Sequence, residues 1–563
     1  MLFANKEKCL QSTSLLSYDE ACIDIFNTFN DTVSIFGQYQ QCHECNFQNF
    51  TVLSPQGNKS LLISTRSPLT LYWDKDGIDN CIFSKLYYEH YRYGWNITSQ
   101  CEQVRIKNAA DDAYLPILMA FVFLFCFGTL WYMVKCIYKN SGRLRSLLAW
   151  SSELEDDLTG STPLVIERPP SIKKHPHRIK SLDVFRGLCI ILMIFINYGG
   201  GHYWFFQHSP WNGITLADLV FPWFMWIMGL SLTVSMHKKL QRAVPRRTLV
   251  FQVLRRSALL LFLGVVVNSS KHVLSIAELR FPGVLQRFAV TYCIVGLLEI
   301  AFAKRIEIDN ISCVTDIVQA WPQWLFVLML VAIHTCITFL VNVPGCGNGY
   351  LGPGGLDDMS KHFNCTGGAA GYIDRQVFGH HLLKIPDCSR IYENKVWFDP
   401  EGILGILTSV LTVYLGVQAG RTLNTYQNVK AKTIRWVVWG CSMCLIGEIL
   451  CSFKIDDGPI PLNKQLWSLS FTLVTAGMAF IIHTFLFLIV DIYRKWGGRP
   501  FFYPGMNSIV LYVGHELFRN TFPFGWIPTV ETHSAYLFMN LWGTGLWVAI
   551  AIYLYKHDIF FTI

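Results

Sequence analysis

The sequence predicts a polytopic α-helical membrane protein with about eleven transmembrane helices and a small N-terminal β-sandwich domain on the lumenal side. The chain of 563 residues is 52% hydrophobic but only 15% charged, whereas soluble domains average about 25% charged residues. Its net charge is +8, and the positive residues lie in short loops between long apolar runs. This distribution indicates membrane topology and not nucleic-acid binding. Residues 1–112 instead alternate apolar and polar side chains, as half-buried strands do.

The N-terminal domain, residues 1–112, carries two signatures of an oxidising lumen. Six of the 18 cysteines precede the first apolar run, and disulfides form in such compartments. A disulfide between Cys42 and Cys45 is favoured over a zinc or redox site, because this domain has no second CxxC pair. Residues 1–14 lack the apolar core of a signal peptide, so export requires an earlier start of the precursor or the first helix. Glycosylation is predicted at the sequons of Asn30, Asn49, Asn58 and Asn96.

The first transmembrane helix is predicted at 113–138, and a disordered cytosolic linker follows at 139–178. Basic residues directly after this helix place that side in the cytosol and the N-terminus in the lumen. Ten more spans are predicted within 179–563, which leaves the loop 343–398 lumenal and the C-terminus cytosolic. They lie near 182–200, 215–236, 249–269, 282–303, 321–342, 401–419, 433–452, 465–490, 505–521 and 533–555.

The loop 343–398 carries the sequon of Asn364 and three cysteines. We predict a disulfide between Cys346 and Cys365, which leaves Cys388 to pair with the N-terminal domain or with a second subunit. No spacing in this glycine-rich loop matches a phosphate-binding or dinucleotide fingerprint.

His208 is the first candidate for chemistry, because it follows Asn197 across the turn Gly199–Gly201 at the predicted lumenal face. Glycines permit positive φ and close backbone approach, so this turn can fold Asn197 and His208 towards each other. A neutral imidazole can take a proton from an attacking amine or hydroxyl, or accept an acyl group itself. The Asn197 amide can orient the ring or hydrogen-bond the acyl oxygen. The alternative is that His208, like His202, belongs to an interfacial aromatic belt.

Charged residues within the predicted spans each have a structural and a functional interpretation. Asp183 and Arg186 lie three positions apart at the cytosolic end of one helix, where they pair with each other or bind a ligand phosphate through Arg186. Arg287 lies inside an apolar run and needs an anionic partner. That partner is a structural carboxylate, Glu299 or Asp218, or the carboxylate, sulfate or phosphate of a substrate.

Four more residues at predicted helix ends are candidates for binding. Asp399 either caps the following helix or binds an amine-bearing lumenal substrate. Lys464 and Trp467 lie at a lumenal helix start, and Asn507 lies near the cytosolic end of its helix. Polar residues inside spans usually join helices, and a minority of them line sites.

Ten motifs, in order along the chain, resemble those of the heparan-α-glucosaminide N-acetyltransferase family, lysosomal members of the transmembrane acyltransferase superfamily. The resemblance is dense from residue 179 to the C-terminus, whereas the N-terminal domain agrees only in layout. The motifs are SLDVFRG, NYGGG, QHSPWNG, ADLVFPWFMWIMG, RFPGVLQR, NCTGGAAGYIDR, DPEGILG, GVQAGR, PLNKQLWS and GMNSI.

The resemblance implies that acetyl passes from cytosolic acetyl-CoA to the terminal non-reducing glucosamine of heparan sulfate in the lysosome, with no metal. It makes His208 the active-site histidine and Asn197 its partner. A homodimer in the lipid membrane is also expected, because one lumenal cysteine is left over. The residues expected to contact acetyl-CoA are Asp183, Arg186, Arg287 and Asn507, and those expected to contact the sugar are Asp399, Lys464 and Trp467.

Two mechanisms and two competing classes of protein stay open at this point. Acetyl either rests on His208 between two half-reactions, or both substrates bind together and His208 deprotonates the amine, the route we favour. The competing classes are a secondary transporter, although no inverted repeat is visible, and an O-acyltransferase that acts on another lumenal glycan.

Overall fold

The computed structural model describes Cys9 and residues 16–75, 78–110, 112–140, 178–269, 279–302, 314–383 and 388–561. The chain divides into two compact units. Met1–Ala110 and Ile179–Ile563 form one unit, so the N-terminal domain and the main helical domain belong together, and Asp111–Arg178 forms the other. The predicted linker at 139–178 lies almost wholly outside the described residues.

The N-terminal domain is a sandwich of two four-stranded sheets, which confirms the predicted β-domain. Its strands are β1 (Glu20–Asn27), β2 (Val33–Tyr39), β3 (Gln48–Leu53), β4 (Asn58–Ser64), β5 (Leu69–Lys75), β6 (Ile78–Lys85), β7 (Arg92–Ile97) and β8 (Arg105–Asn108). The sheet orders are β4-β1-β7-β8 and β3-β2-β5-β6, and β1 runs parallel to β7. Alternate residues of both sheets, such as Ile23 on β1 and Ile35 on β2, fill one core.

Disulfides join the described cysteines as Cys9–Cys22, Cys42–Cys45, Cys81–Cys101 and Cys346–Cys365. The two predicted pairs, Cys42–Cys45 and Cys346–Cys365, are therefore present. Cys388 is a buried thiol with 1% exposure, and it packs in one apolar cluster with Cys42 and Cys45. It thus meets the N-terminal domain by packing, and the link to a second subunit stays a prediction.

The helical residues form thirteen labelled helices among the described residues. They are α1 (Leu115–Asn140), α2 (Lys180–Asn197), α3 (Leu216–Gln241), α4 (Arg246–Ser269), α5 (Val284–Phe302), α6 (Trp321–Leu340), α7 (Gly368–Phe378), α8 (Leu404–Thr425), α9 (Val429–Leu450), α10 (Leu469–Leu486), α11 (Phe502–Met506), α12 (Ser508–Leu517) and α13 (His533–Lys556).

Eight helices in the described part of the chain are long and apolar enough to cross a membrane, which confirms a polytopic helical membrane protein. They are α1, α3, α4, α5, α6, α9, α10 with its continuation to Ile492, and α13. The helices α2 and α8 have 18 and 22 residues but carry more polar groups. Both are buried around most of their circumference, so those groups face protein and not lipid.

The predicted span at 505–521 is wrong in its length. This region forms two short helices, α11 and α12, because Asn507 leaves helical geometry at φ −123° and ψ 34°. The ten residues of α12 extend about 15 Å, roughly half of a hydrocarbon core of ~30 Å. This segment therefore does not cross a bilayer as a single helix.

Helices α3 and α8 pack backbone against backbone in the core. A Cβ at Gly229 would lie 1.9 Å from the carbonyl oxygen of Val413, and a Cβ at Gly416 would lie 1.9 Å from that of Trp226. Small residues allow such close approach between helices in membranes. Because α3 carries Asp218 in its first turn, this crossing also fixes the position of that carboxylate.

Candidate active site

A left-handed turn follows α2 and leads to His208. Gly199, Gly200 and Gly201 have φ angles of 119°, 58° and 67°, and His202 continues the turn at 62°. Glycine adopts these angles without steric cost, so the three glycines serve the turn predicted from the sequence. A Cβ at Gly200 would also lie 2.5 Å from the Cβ of Phe206.

His208 lies in a cluster with Asp218 and Lys464. Its Nδ1 is 2.8 Å from Asp218 Oδ1, and Lys464 Nζ is 2.9 Å from Nδ1 and 3.3 Å from Nε2. Lys464 Nζ also lies 3.3 Å from Asp218 Oδ1. The side chains are 34% exposed for His208, 14% for Lys464 and 1% for Asp218. The imidazole can therefore reach a ligand while a buried carboxylate holds it.

Asp218 binds both the start of α3 and the histidine. Its Oδ2 accepts hydrogen bonds from Ser209 N at 3.1 Å, Thr215 N at 3.1 Å and Thr215 Oγ1 at 3.0 Å, which caps the helix. Its Oδ1 is left for the His208 ring. When Nδ1–H donates to this oxygen, Nε2 is the ring atom that can accept a proton.

The Asn197 amide is bound to α12 and not to His208. Its Nδ2 donates to His515 Nε2 at 2.9 Å and to Glu516 Oε1 at 3.0 Å. His515 Nδ1 donates to Leu511 O at 3.0 Å, so Nε2 is the accepting nitrogen. No hydrogen bond joins Asn197 to His208 within the described residues, and the structure does not bring the expected pair into contact.

Asp183 and Arg186 occupy the opposite end of α2. Arg186 Nη1 lies 3.3 Å from Asp183 Oδ1 and 3.3 Å from Gly505 O, and Nη2 donates to Ser231 Oγ at 2.7 Å. The predicted pair is present, and it ties α2 to α3 and α11. The Arg186 side chain keeps 22% exposure, so a ligand can still reach it.

Asn507, which we expected to contact acetyl-CoA, holds the C-terminal segment instead. Its Nδ2 donates to Ile559 O at 3.0 Å, and its Oδ1 accepts from Phe561 N at 3.1 Å. The side chain is fully buried. Both ends of the amide therefore serve the backbone of this tail, which is a structural role.

Asp399 and Glu401 bind Arg280, a residue that the sequence did not indicate. Arg280 Nε and Nη2 lie 2.6 Å from the two Asp399 oxygens, and Nη2 lies 2.6 Å from Glu401 Oε2. Burial opposes ionisation of Asp399, but the Arg280 guanidinium outweighs it and holds the pKa of this carboxyl below its ordinary value. Asp399 is thus buried and paired, and it is closed to the amine-bearing substrate that we expected.

Arg287 meets neither of the two carboxylates predicted as its structural partner. Glu299 pairs with Arg421, and Asp218 belongs to the histidine cluster. The Arg287 guanidinium instead lies 4.7 Å from the centre of the Trp467 ring. This contact brings together two of the residues that the sequence proposed separately.

His202 is covered by both the N-terminal domain and α13. Its ring stacks on Tyr18 at 4.2 Å and meets the edge of Tyr536 at 4.3 Å. Burial, with His533 nearby, lowers the pKa of His202 to about 4. This histidine therefore stays neutral in a contact between two parts of the protein, which differs from the lipid-facing belt that we expected.

Asp19, Glu89 and His533 form a cluster whose oxygen and nitrogen atoms are of the kinds that bind metal ions. His533 Nε2 lies 3.0 Å from Glu89 Oε2 and 3.4 Å from Asp19 Oδ1, while its Nδ1 donates to Gly201 O at 2.7 Å. Arg66 Nε lies 3.5 Å from Asp19 Oδ2. The arginine supplies a counter-charge here, so the group forms an ion-pair contact between the N-terminal domain and the turn.

Comparison with known proteins places these features in context. Residues 178–333 match a family model described as a domain of unknown function, DUF5009. The human protein named "Heparan-alpha-glucosaminide N-acetyltransferase" is 47% identical over 399 residues, which cover 69% of this chain and 60% of that protein. The mouse protein of the same name is 45% identical over 407 residues, which cover 70% of this chain and 62% of that protein.

The chain spans about three-fifths of the length of the curated relatives that it matches. Over this aligned part the chain is similar to both proteins of that name, which confirms the resemblance predicted from its motifs.

Proposed function

We propose that this chain is a transmembrane acetyltransferase of the lysosomal membrane. It moves acetyl from cytosolic acetyl-CoA to the terminal glucosamine amine of lumenal heparan sulfate. The observation that carries the proposal is the partly exposed His208 imidazole, held by buried Asp218 and flanked by Lys464. The relatives' printed names supply the acyl group's acceptor.

Helix α2 connects the two expected substrates. Arg186 and Asn197 lie eleven residues apart on this helix, which corresponds to about 16 Å of rise. An extended pantetheine arm can cover that length, so the adenosine phosphates can stay near the partly exposed Arg186 while the thioester reaches the glycine turn. Arginine suits phosphate because of its planar, multiply donating guanidinium.

In the direct route, His208 acts as the general base. With Nδ1–H donated to Asp218, Nε2 takes a proton from the glucosamine amine as its nitrogen attacks the thioester carbonyl. The C–N bond forms, the C–S bond breaks, and the coenzyme A thiolate leaves and takes the proton from the His208 imidazolium. We assign to the Lys464 ammonium the role of stabilising negative charge on the acyl oxygen as that charge develops.

Asn197 has a different role from the one suggested by the sequence. Both hydrogens of its Nδ2 are donated to His515 and Glu516, so the amide offers only its Oδ1 to a ligand. We assign this oxygen to the acceptor side, where it accepts a hydrogen bond from the sugar amine. Glu516 and His515 are then positioning residues, because they act on the substrate through Asn197.

Proteoliposomes test this function directly, with acetyl-CoA outside and a glucosaminide inside. The wild-type protein is expected to form N-acetylglucosaminide, and His208→Ala is expected to lower the rate about 10²- to 10⁴-fold. His43→Ala is the matched control, because His43 also lies beside a carboxylate, Asp457, and has the same 34% side-chain exposure. Passage of the glucosaminide across the membrane without product would indicate a transporter, and an O-acetyl product would indicate the other acyltransferase class.

Rapid quenching without acceptor separates the two mechanisms. The direct route predicts no labelled enzyme after incubation with radiolabelled acetyl-CoA alone. A labelled acetyl-enzyme that disappears in His208→Ala would contradict the direct route and establish two half-reactions. Full activity in His208→Ala would contradict the assignment of this residue.

A further inference from the structure

Arg287 is a buried cation with unpartnered donors. It lies in the first turn of α5, and its residue exposure is 2%. Its Nη2 donates to Pro400 O at 2.8 Å and to Gly402 O at 3.2 Å, whereas Nε and Nη1 have no hydrogen-bond partner among the described residues. Within the same residues no carboxylate lies in salt-bridge contact with this guanidinium.

Burial of a guanidinium without an anion is costly. An unsatisfied buried donor costs about 1–3 kcal/mol, and more when it is charged, so buried charges are normally paired. The carboxylates of Asp399 and Glu401 are close enough to act on Arg287 but are bound to Arg280. Asp374 faces the backbone N–H of Ile403. Burial raises its pKa to about 6, so it is largely neutral in an acidic compartment.

A short segment links Arg287 to the His208 cluster. The guanidinium lies over Trp467 at 4.7 Å, and Trp467 N donates to Lys464 O at 3.1 Å. Lys464 Nζ in turn lies 2.9 Å from His208 Nδ1. Trp467 also meets the edge of Phe221, one helical turn after Asp218, at 5.1 Å. Arg287 is therefore linked to the His208 cluster through Trp467 and Lys464.

The predicted topology favours the acceptor over the coenzyme phosphates as the partner of Arg287. Arg287 lies at the end of α5 that contacts the segment after the loop 343–398, through Pro400 and Gly402. This loop carries the predicted lumenal glycan, and Arg186 marks the opposite end of α2. The sequence-based expectation that Arg287 contacts acetyl-CoA is thus replaced by a contact with the acceptor.

We propose that Arg287 binds an anionic group of the acceptor saccharide, a sulfate or a uronic acid carboxylate, beside the glucosamine whose amine reacts at His208. This inference rests on the proposed function. Guanidinium bonds to such oxyanions are charge-assisted and strong. Arg287 then selects anionic over neutral glucosaminides, and its charge becomes paired only when the substrate is bound.

Three acceptors and two variants test this role in the full-length protein. The acceptors are a neutral methyl α-glucosaminide, its 6-sulfate, and a glucosaminyl-uronate disaccharide. Arg287→Gln is expected to raise KM about 10- to 100-fold for the anionic acceptor that the wild type prefers and less than about twofold for the neutral one. Arg287→Lys is expected to lie between, because lysine keeps the charge but loses the fork geometry. The preferred acceptor identifies the anion as sulfate or carboxylate.

Two controls keep the test independent of protein folding. Arg256→Gln is the matched control, because Arg256 also lies over an aromatic ring, that of Tyr292 at 4.6 Å, and its Nε is also unpartnered. Gly405→Ala keeps the charge but places a Cβ 2.9 Å from Arg287 Nη2, so it is expected to produce the same selective loss to a smaller degree.

Equal losses on neutral and anionic acceptors in Arg287→Gln and Gly405→Ala would overturn the proposal and make Arg287 a structural residue. A wild-type protein that acetylates no glucosaminide would instead contradict the proposed function. The KM for acetyl-CoA is expected to be unchanged in every variant, and a selective rise in that KM would return Arg287 to the coenzyme site.

Discussion

The Asp218→Asn substitution removes one charge from the His208 cluster while it keeps the size of the side chain. The carboxylate serves five contacts through two oxygens: His208 and Lys464 on Oδ1, and Ser209 N, Thr215 N and Thr215 Oγ1 on Oδ2. An amide has one accepting oxygen and one donating nitrogen. When its oxygen caps α3, its Nδ2–H faces His208 Nδ1 and favours the ring tautomer that carries the proton on Nε2.

The magnitudes follow from this loss. Lys464 is only 14% exposed, and a buried cation without its partner costs about 3–5 kcal/mol of unfolding free energy. With the proton on Nε2, this atom cannot accept one from the amine, so we expect kcat to fall about 10²- to 10³-fold, within the range of general-base catalysis. The KM for acetyl-CoA is expected to stay unchanged, because no coenzyme contact is altered.

The double variant Asp218→Asn with Lys464→Met separates stability from catalysis. It removes the ammonium group that Asp218→Asn leaves without a partner. We therefore expect the double variant to regain most of the lost stability, as measured by thermal unfolding in detergent. Acetyl transfer at saturating acetyl-CoA is expected to stay low. If Asp218→Asn retains more than half of the wild-type kcat, or if the double variant regains activity along with stability, the assignment of Asp218 to His208 is refuted.

Three further outcomes test the surrounding structure. Gly200→Ala is expected to lower the unfolding free energy by about 1–3 kcal/mol and by more than Gly345→Ala, because both positions have positive φ but only the first crowds a neighbour. Asp374 has a folded-state pKa of about 6 against 3.8, so its stabilising contribution is present at low pH and lost between about pH 4 and 6. The unfolding free energy of the wild type should therefore fall from about pH 4 to pH 6, and Asp374→Asn should abolish this fall. Thermal unfolding measured from pH 4 to 7 checks both. Arg280→Gln leaves the buried Asp399 carboxylate without its cationic partner and should lower the unfolding free energy by about 3–5 kcal/mol. The additional substitution Asp399→Asn should restore part of this unfolding free energy.

The elements that periodicity encodes were predictable from the sequence. The alternation of apolar and polar residues in 1–112 predicted the sandwich, and the long apolar runs predicted the long helices. Both patterns are visible in a short stretch of sequence, because each reflects which side chains are buried. The glycine turn at 199–201 and the disulfides Cys42–Cys45 and Cys346–Cys365 were also predictable, because each has a chemical signature over a short distance. The short helix α12 was not, because apolar composition does not reveal where Asn507 breaks the helix.

The contacts of the site depended on tertiary structure that no local pattern encodes. Asn197 bonds to His515, 318 residues away, and Arg280 reaches Asp399 across 119 residues. Asp218 did carry a usable signal. Thr215 followed three residues later by an acidic residue is a capping-box pattern, which would have placed this carboxylate at the start of α3 and near His208.

The close contact between α3 and α8 limits how this protein can admit its substrates. With Gly229 packed against the backbone carbonyl of Val413 and Gly416 against that of Trp226, neither helix can slide or rotate against the other without steric overlap, so the two helices act as one rigid pair. Asp218 stands at the start of one helix, and the Asp399–Glu401 segment leads into the other. Any opening that lets a bulky thioester or saccharide in must therefore come from other elements, such as the two short helices α11 and α12.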